Sequence, residues 1–349
     1  MTKSLRKSKT HAAGVLANVL IGLVIVGGIV ATVLIVLLND TTGESGSGLS
    51  ENWIYKFEGQ RPVDPALLKW TEVTSFSSGF NTPRAIAVGP DDSLYVAGDQ
   101  GLRIYSNDGT IREELALKQP VRGVAVDTDG TILLALPQEV YILPPDGGDP
   151  SGWRINDQAE LASIAVHGDN IFVGDAGNRA VYRFGKDGSL LMTIAEVKRA
   201  KSGHLDVAMA NDGLLRVTQC GLLEVNAYTL NGKRSFFWGK PGQEIENFIG
   251  CCNPVNIAVL PDGGIVTAEK GALPTVKVFH PDHGTGQAGK LESVVLSPRQ
   301  VVDRWSSRNL VLTGDNIQKA LDVAVDSKGR VVVLDPIGRL VRILERKSQ

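Results

Sequence analysis

The sequence predicts an all-β fold, a six-bladed β-propeller, and three observations carry the prediction. A short phrase recurs six times: an aliphatic residue, Ala and Val or Met, a polar stretch around Asp-Gly, and a second apolar run. The copies begin at Ile86, Val124, Ile164, Val207, Ile257 and Val323, most of them about 40 to 50 residues apart, the period of a propeller blade. The last copy runs out of chain before it can complete four strands. A lone alternating segment, WTEVTSF from Trp70, stands ahead of the first copy with no partner of its own.

From the N-terminus, residues 12–38 carry no charge and only Asn18 and Thr32 are polar, which is long enough to span a bilayer as a helix. A cleaved signal peptide would have a shorter apolar region and a small-x-small site, and Asn39-Asp40-Thr41-Thr42 offers none, so an uncleaved transmembrane anchor is expected. Lys3, Arg6, Lys7 and Lys9 precede the span, whereas Asp40 and Glu44 follow it. That asymmetry places residues 1–11 in the cytoplasm as a basic tail and the rest outside the cell membrane, on a single pass. Residues 39–60, with TTGESGSG, read as a flexible tether, and residues 61–349 as the propeller.

Within each unit the apolar triplet suits a strand buried on both faces, and the Asp-Gly dipeptide supplies the positive φ of a tight turn. The next run, rich in Val, Ile and Leu, is the returning strand. One hairpin cannot bury both its faces, so copies stack radially. The segment at Trp70 is expected to add the outer strand of the last blade, pairing with the run from Leu340 to Leu344 and removing an exposed edge. The longest spacing, between units five and six, holds an outer strand from Leu291 to Leu296 and an excursion with Arg299, Arg304, Trp305 and Arg308. Long connections in compact domains are often functional, and Arg and Trp are favoured interface anchors, so these four are partner-docking candidates.

These units resemble the NHL-repeat family of β-propellers, whose cadence is A-V-D-x-x-G-x-φ-Y-V-A-D-x-x-N. The third, IAVHGDNIFVGDAGNRAVYRF, matches it most closely, and the resemblance covers about residues 80–346. The segment GCCNP, followed by AVLPDG and TAEKG, is similar to a group of bacterial NHL-repeat proteins. The resemblance implies the six-bladed fold but spans protein-binding, RNA-binding, sensor and lyase domains, since fold does not dictate function. The family's zinc-dependent lyases need several channel histidines, and only His204 is placed for that role here.

The loop entering the first strand of a blade and the turn joining its second and third strands lie on one face. Residues just ahead of the triplets should therefore line the channel mouth: Ala85, Gly123, Ser163, Asp206, Asn256 and Asp322. Asp99, Asp175, Cys220, Glu269 and Asp335 should form a wider ring. Asp206, Asn256 and Asp322 are metal-ligand candidates that could hold Ca2+, a hard cation taking oxygen ligands. Equally, acids at strand ends often satisfy neighbouring turns. Cys220, Cys251, Cys252 and His204 fall on the same face as a cysteine cluster, open to three readings: a disulfide between blades, a reactive pair, or a metal site.

Net charge is −2 with 21% charged residues, so no basic excess points to nucleic acid. Hydrolase signatures such as G-x-S-x-G and H-E-x-x-H are absent. The expected function is a membrane-tethered extracytoplasmic binding or scaffold module with a protein partner on one propeller face, redox-linked if the cysteines react. The alternative is a channel-metal-dependent hydrolase or lyase.

Overall fold

The protein is represented by a computed structural model that describes residues 19–32, 61–195, 203–280, 289–310, 312–313 and 318–348. The chain divides into two compact units, Met1–Gln60 and Arg61–Gln349. In the first, residues 19–32 are helical. Among the described residues no helix is long and apolar enough to cross a membrane, and the remainder of the run 12–38 lies outside them. The basic tail and the tether also fall outside the described residues.

The second unit is a six-bladed propeller of six four-stranded antiparallel sheets. Each sequence triplet forms an inner strand: Pro83–Val88, Gly123–Val126, Leu161–His167, Val207–Met209, Asn256–Val259 and Asp322–Val325 open blades 1 to 6. The second strands explain why the returning runs are so aliphatic. Leu94–Gly98, Leu215–Gln219, Ile265–Glu269 and Val331–Asp335 are buried at every residue, sandwiched between neighbouring blades. Outer strands such as Ile111–Ala116 are largely exposed and carry charge. The turns behave as their sequences demand, with Gly130 and Gly263 at φ +89° and +86°. In the first unit, where Asp replaces Gly, Asp92 itself takes φ +62°.

The core is six apolar clusters, one at each blade interface. One joins Ile86, Leu94 and Val96 of blade 1 to Val332, Leu334 and Ile343 of blade 6, so the ring is closed by packing. It is also closed by hydrogen bonds. The strand Trp70–Ser77 pairs antiparallel with Leu340–Arg346, from Trp70 opposite Arg346 to Ser77 opposite Leu340, and completes blade 6 from the other end of the propeller chain. Trp70 is anchored further by its indole N–H, which donates to Ser293 Oγ of blade 5 at 3.0 Å.

Candidate functional site

A cavity of about 380 Å³ opens where the channel meets the face bearing the blade-entry loops. Ala85, Gly123, Ser163, Asp206, Asn256 and Asp322 all line it, because each directly precedes or begins the innermost strand of its blade. Their side chains lace the ring. Asp206 of blade 4 accepts the N–H of Val207 at 2.9 Å and, across the interface, the N–H of Ile257 in blade 5 at 2.7 Å. Asp322 of blade 6 repeats the pattern, accepting from Val323 at 2.9 Å and from Ile86 of blade 1 at 2.8 Å. Asn256 bridges blades 5 and 6 by donating to the Leu321 carbonyl at 2.7 Å. Between blades 2 and 3 small size replaces hydrogen bonding: a Cβ on Gly123 would sit 3.0 Å from Ser163 Cα.

Burial dominates the electrostatics. It pushes Asp206 up to about 7 against the two backbone N–H groups and Ser163, which favour the charged form. Burial and then repulsion by Asp206 push Asp322 up to about 8. The two carboxyls thus hold a proton near neutrality, and the oxygens of each already accept backbone N–H groups. Each of these oxygens is committed to one backbone donor and keeps a second lone pair, the kind of oxygen donor a hard cation takes. Among the described residues no three His, Cys, Asp or Glu side chains converge as metal ligands. His204 lies beside this ring; burial and the Lys270 ammonium hold it down to about 4, against a hydrogen bond with the Gln318 backbone. Its imidazole is neutral.

Three acids of the wider ring have structural partners, whereas Asp99 Oδ1 is buried without a hydrogen bond among the described residues. Asp175 caps its turn through Glu160 N and Asn178 N, and Asp335 accepts from Ile337 N, Gly338 N and the Trp305 indole. Glu269 is fully buried between Arg61, at 3.0 Å, and Lys277, at 2.7 Å, and also accepts the N–H of Ile249. Burial depresses Lys277 to about 8 despite its carboxylate partner.

The cysteine expectation requires correction: no disulfide is present. Cys220 is buried and its thiol donates to the His204 carbonyl at 3.2 Å, within its own blade. Cys251 is exposed and Cys252 half-buried on the blade-5 entry loop, their sulfurs 3.3 Å apart. Asn253 ties that loop down, donating to the Ile249 and Lys270 carbonyls and accepting the Lys270 N–H.

The excursion after blade 5 is a helix, Pro298–Ser306, started by a capping box between Ser297 and Gln300. Trp305 is 3% exposed and packs with Val301, Leu321 and Ile337, so it is a core residue rather than a docking side chain. Arg304 pairs with Glu72, which also holds Arg342 at 2.7 Å. Arg299 and Arg308 remain exposed. Sequence reasoning missed three cavity-lining cations, Arg84, Arg122 and Lys319. Their signal was present: Arg84 and Arg122 each immediately precede the small ring residues Ala85 and Gly123 in consecutive units.

No family model matches the chain, and no curated relative matches it. Solved structures do. Virginiamycin B lyase from Staphylococcus aureus aligns with a TM-score of 0.52 at 12% identity, over 80% of this chain and 99% of its own. A protein of unknown function from Bacteroides thetaiotaomicron gives 0.53 at 14%, over 80% and 72%. The WD40 propeller domain of Doa1 gives 0.50 at 15%, over 80% and 98%. At such identities the likeness is one of fold.

Proposed function

We propose that the chain is a binding module: an NHL-type propeller, tethered to the cell membrane through residues 12–38, that presents its channel-mouth face outside the cell to a protein partner or ligand. The observation that supports it is the lacing of the mouth's polar side chains across the blade seams. Asp206, Asn256 and Asp322 each bond to the backbone of the next blade, which braces the face. Arg299, Arg308 and the Cys251–Cys252 loop each lie in a connection that enters an inner strand, which supports assigning them to that face. Rigid, broad surfaces with exposed Arg suit docking.

Cross-linking and pull-down of the full chain from native membranes tests the reading, with a partner expected for the parent and weakened by Arg299→Glu with Arg308→Glu. Cys251 supplies a topology test: a membrane-impermeant maleimide should label it in intact cells. The channel-metal hydrolase or lyase reading takes its support from the fold shared with virginiamycin B lyase. Stoichiometric calcium or zinc in the purified full chain, lost in Asp206→Ala, would favour it over binding.

A further inference from the structure

We infer that the channel mouth binds a small organic anion, gripped through its carboxylate or phosphate by Arg84 and Arg122. The inference rests on the binding reading and names the ligand chemistry for the cavity itself. Arg84 on the inner strand of blade 1, Arg122 ahead of that of blade 2 and Lys319 ahead of that of blade 6 all line the cavity. The cations therefore occupy one arc of three consecutive blades. Among the described residues neither guanidinium has a hydrogen-bond or ion-pair partner, whereas Arg61, Arg216, Arg304, Arg330 and Arg342 all do. Unpaired guanidiniums facing one cavity repel, and an anion between them relieves the repulsion through charge-assisted, bidentate hydrogen bonds. Partial burial and then the field of Arg122 depress Arg84, with Asp99 opposing, as expected of two cations held close without a shared anion.

The opposite arc is mainly polar: Ser163 from blade 3, neutral His204 and partly protonated Asp206 from blade 4, and Asn256 from blade 5. Ser163 is 6% exposed and its Oγ makes no hydrogen bond of standard geometry, although it lies near enough to Asp206 to favour that carboxylate. A buried hydroxyl without a full partner is uncommon and points to a missing one. The negative groups nearby do not cancel the cationic arc. Asp99 offsets Arg84 in part, but Arg122 and Lys319 remain, Asp206 and Asp322 are partly protonated, and Lys270 adds a further cation beside His204. A ligand with an anionic group at one end and hydroxyls at the other matches both arcs. That chemistry is shared by sugar acids and sugar phosphates, and the cavity of about 380 Å³ falls in the size range of small-molecule sites.

Calorimetric titration of the full chain with D-glucuronate, glucose 6-phosphate and neutral glucose tests this. At least one anion should bind, glucose should not, and the preferred anion separates a carboxylate from a phosphate ligand. Arg84→Gln and Arg122→Gln should each weaken binding by about tenfold, the effect of losing one charged hydrogen-bonding group. Ser163→Ala should weaken it less. Arg84 is exposed and Arg122 half-buried, so both variants should melt like the parent, and that melt is recorded alongside. The inference is overturned if neither anion binds the parent, if glucose binds as well as the anions, or if a normally folded Arg84→Gln/Arg122→Gln double variant binds unchanged. The Arg299→Glu/Arg308→Glu chain keeps the two ideas apart. Lost partner capture with intact anion binding bears on docking, and absent anion binding with intact capture sinks only this inference.

Discussion

Asp206 and Asp322 use the same two-bonded geometry two blades apart, one from blade 4 to blade 5 and the other from blade 6 to blade 1. Their protonation sets a pH dependence. Both have folded values raised above those of an unfolded Asp, so their contribution to stability is complete at acid pH and is lost as pH rises through about 7 and 8. His204, depressed to about 4, acts oppositely, but only below its unfolded value of about 6.5. Lys277, depressed to about 8, adds stability only at still higher pH. Denaturant unfolding between about pH 6.5 and 8 should therefore show stability falling by on the order of 1 kcal/mol per pH unit, and Asp322→Asn should flatten that slope. An unchanged slope would mean the carboxyls are ionised throughout. The Glu269 site gives a second prediction. Removing this carboxylate strands Arg61 and Lys277 as buried cations, so Glu269→Ala should cost about 3–5 kcal/mol in urea unfolding. Adding Lys277→Met should recover part of that loss.

At the scale of elements, the helix Pro298–Ser306 is the one α-helix among the described propeller residues, and it behaves as a plug on the seam between blades 5 and 6. Its indole fills the seam and donates to Asp335 at 2.7 Å, which burial pushes up against the donors around it. Trp305→Ala should cost about 3–5 kcal/mol, the usual toll of emptying a large aromatic site. Trp305→Phe should cost about 1–3 kcal/mol, because volume is mostly kept while a buried acceptor loses its donor. Ser297→Ala should remove only the cap, about 1 kcal/mol. Equilibrium unfolding of the three separates packing from capping, and equal losses would contradict this division of roles. The sequence shows this helix only as an excursion because its polar face dominates the local pattern, with only Pro298, Val301 and Trp305 buried.

For the whole molecule, the strand Trp70–Ser77 matters most, because it converts an open arc of blades into a ring. A shortened chain lacking residues 61–78 would lose this strand, the Glu72 pairings with Arg304 and Arg342, and the Arg61 anchor at Glu269. Loss of a cooperative melt is expected, with exposed edges promoting association. A shortened chain that melts like the parent would refute closure as the source of stability.

The blade count, the inner strands, the closing strand and the six mouth positions were legible in the sequence, because each follows from a repeating local pattern of strand, Asp-Gly turn and strand. Repetition fixes where a residue sits around a ring. It does not say which atom it meets there. Arg61 finds Glu269 across 208 residues, Cys220 meets a carbonyl instead of a thiol, and Trp305 turns inward although its neighbours Arg304 and Arg308 are charged. Likewise Arg84 and Arg122 line one cavity only because the ring sets the entries of neighbouring blades side by side. Those outcomes belong to the tertiary structure, because burial and hydrogen-bond satisfaction are settled between residues that only the closed ring brings together.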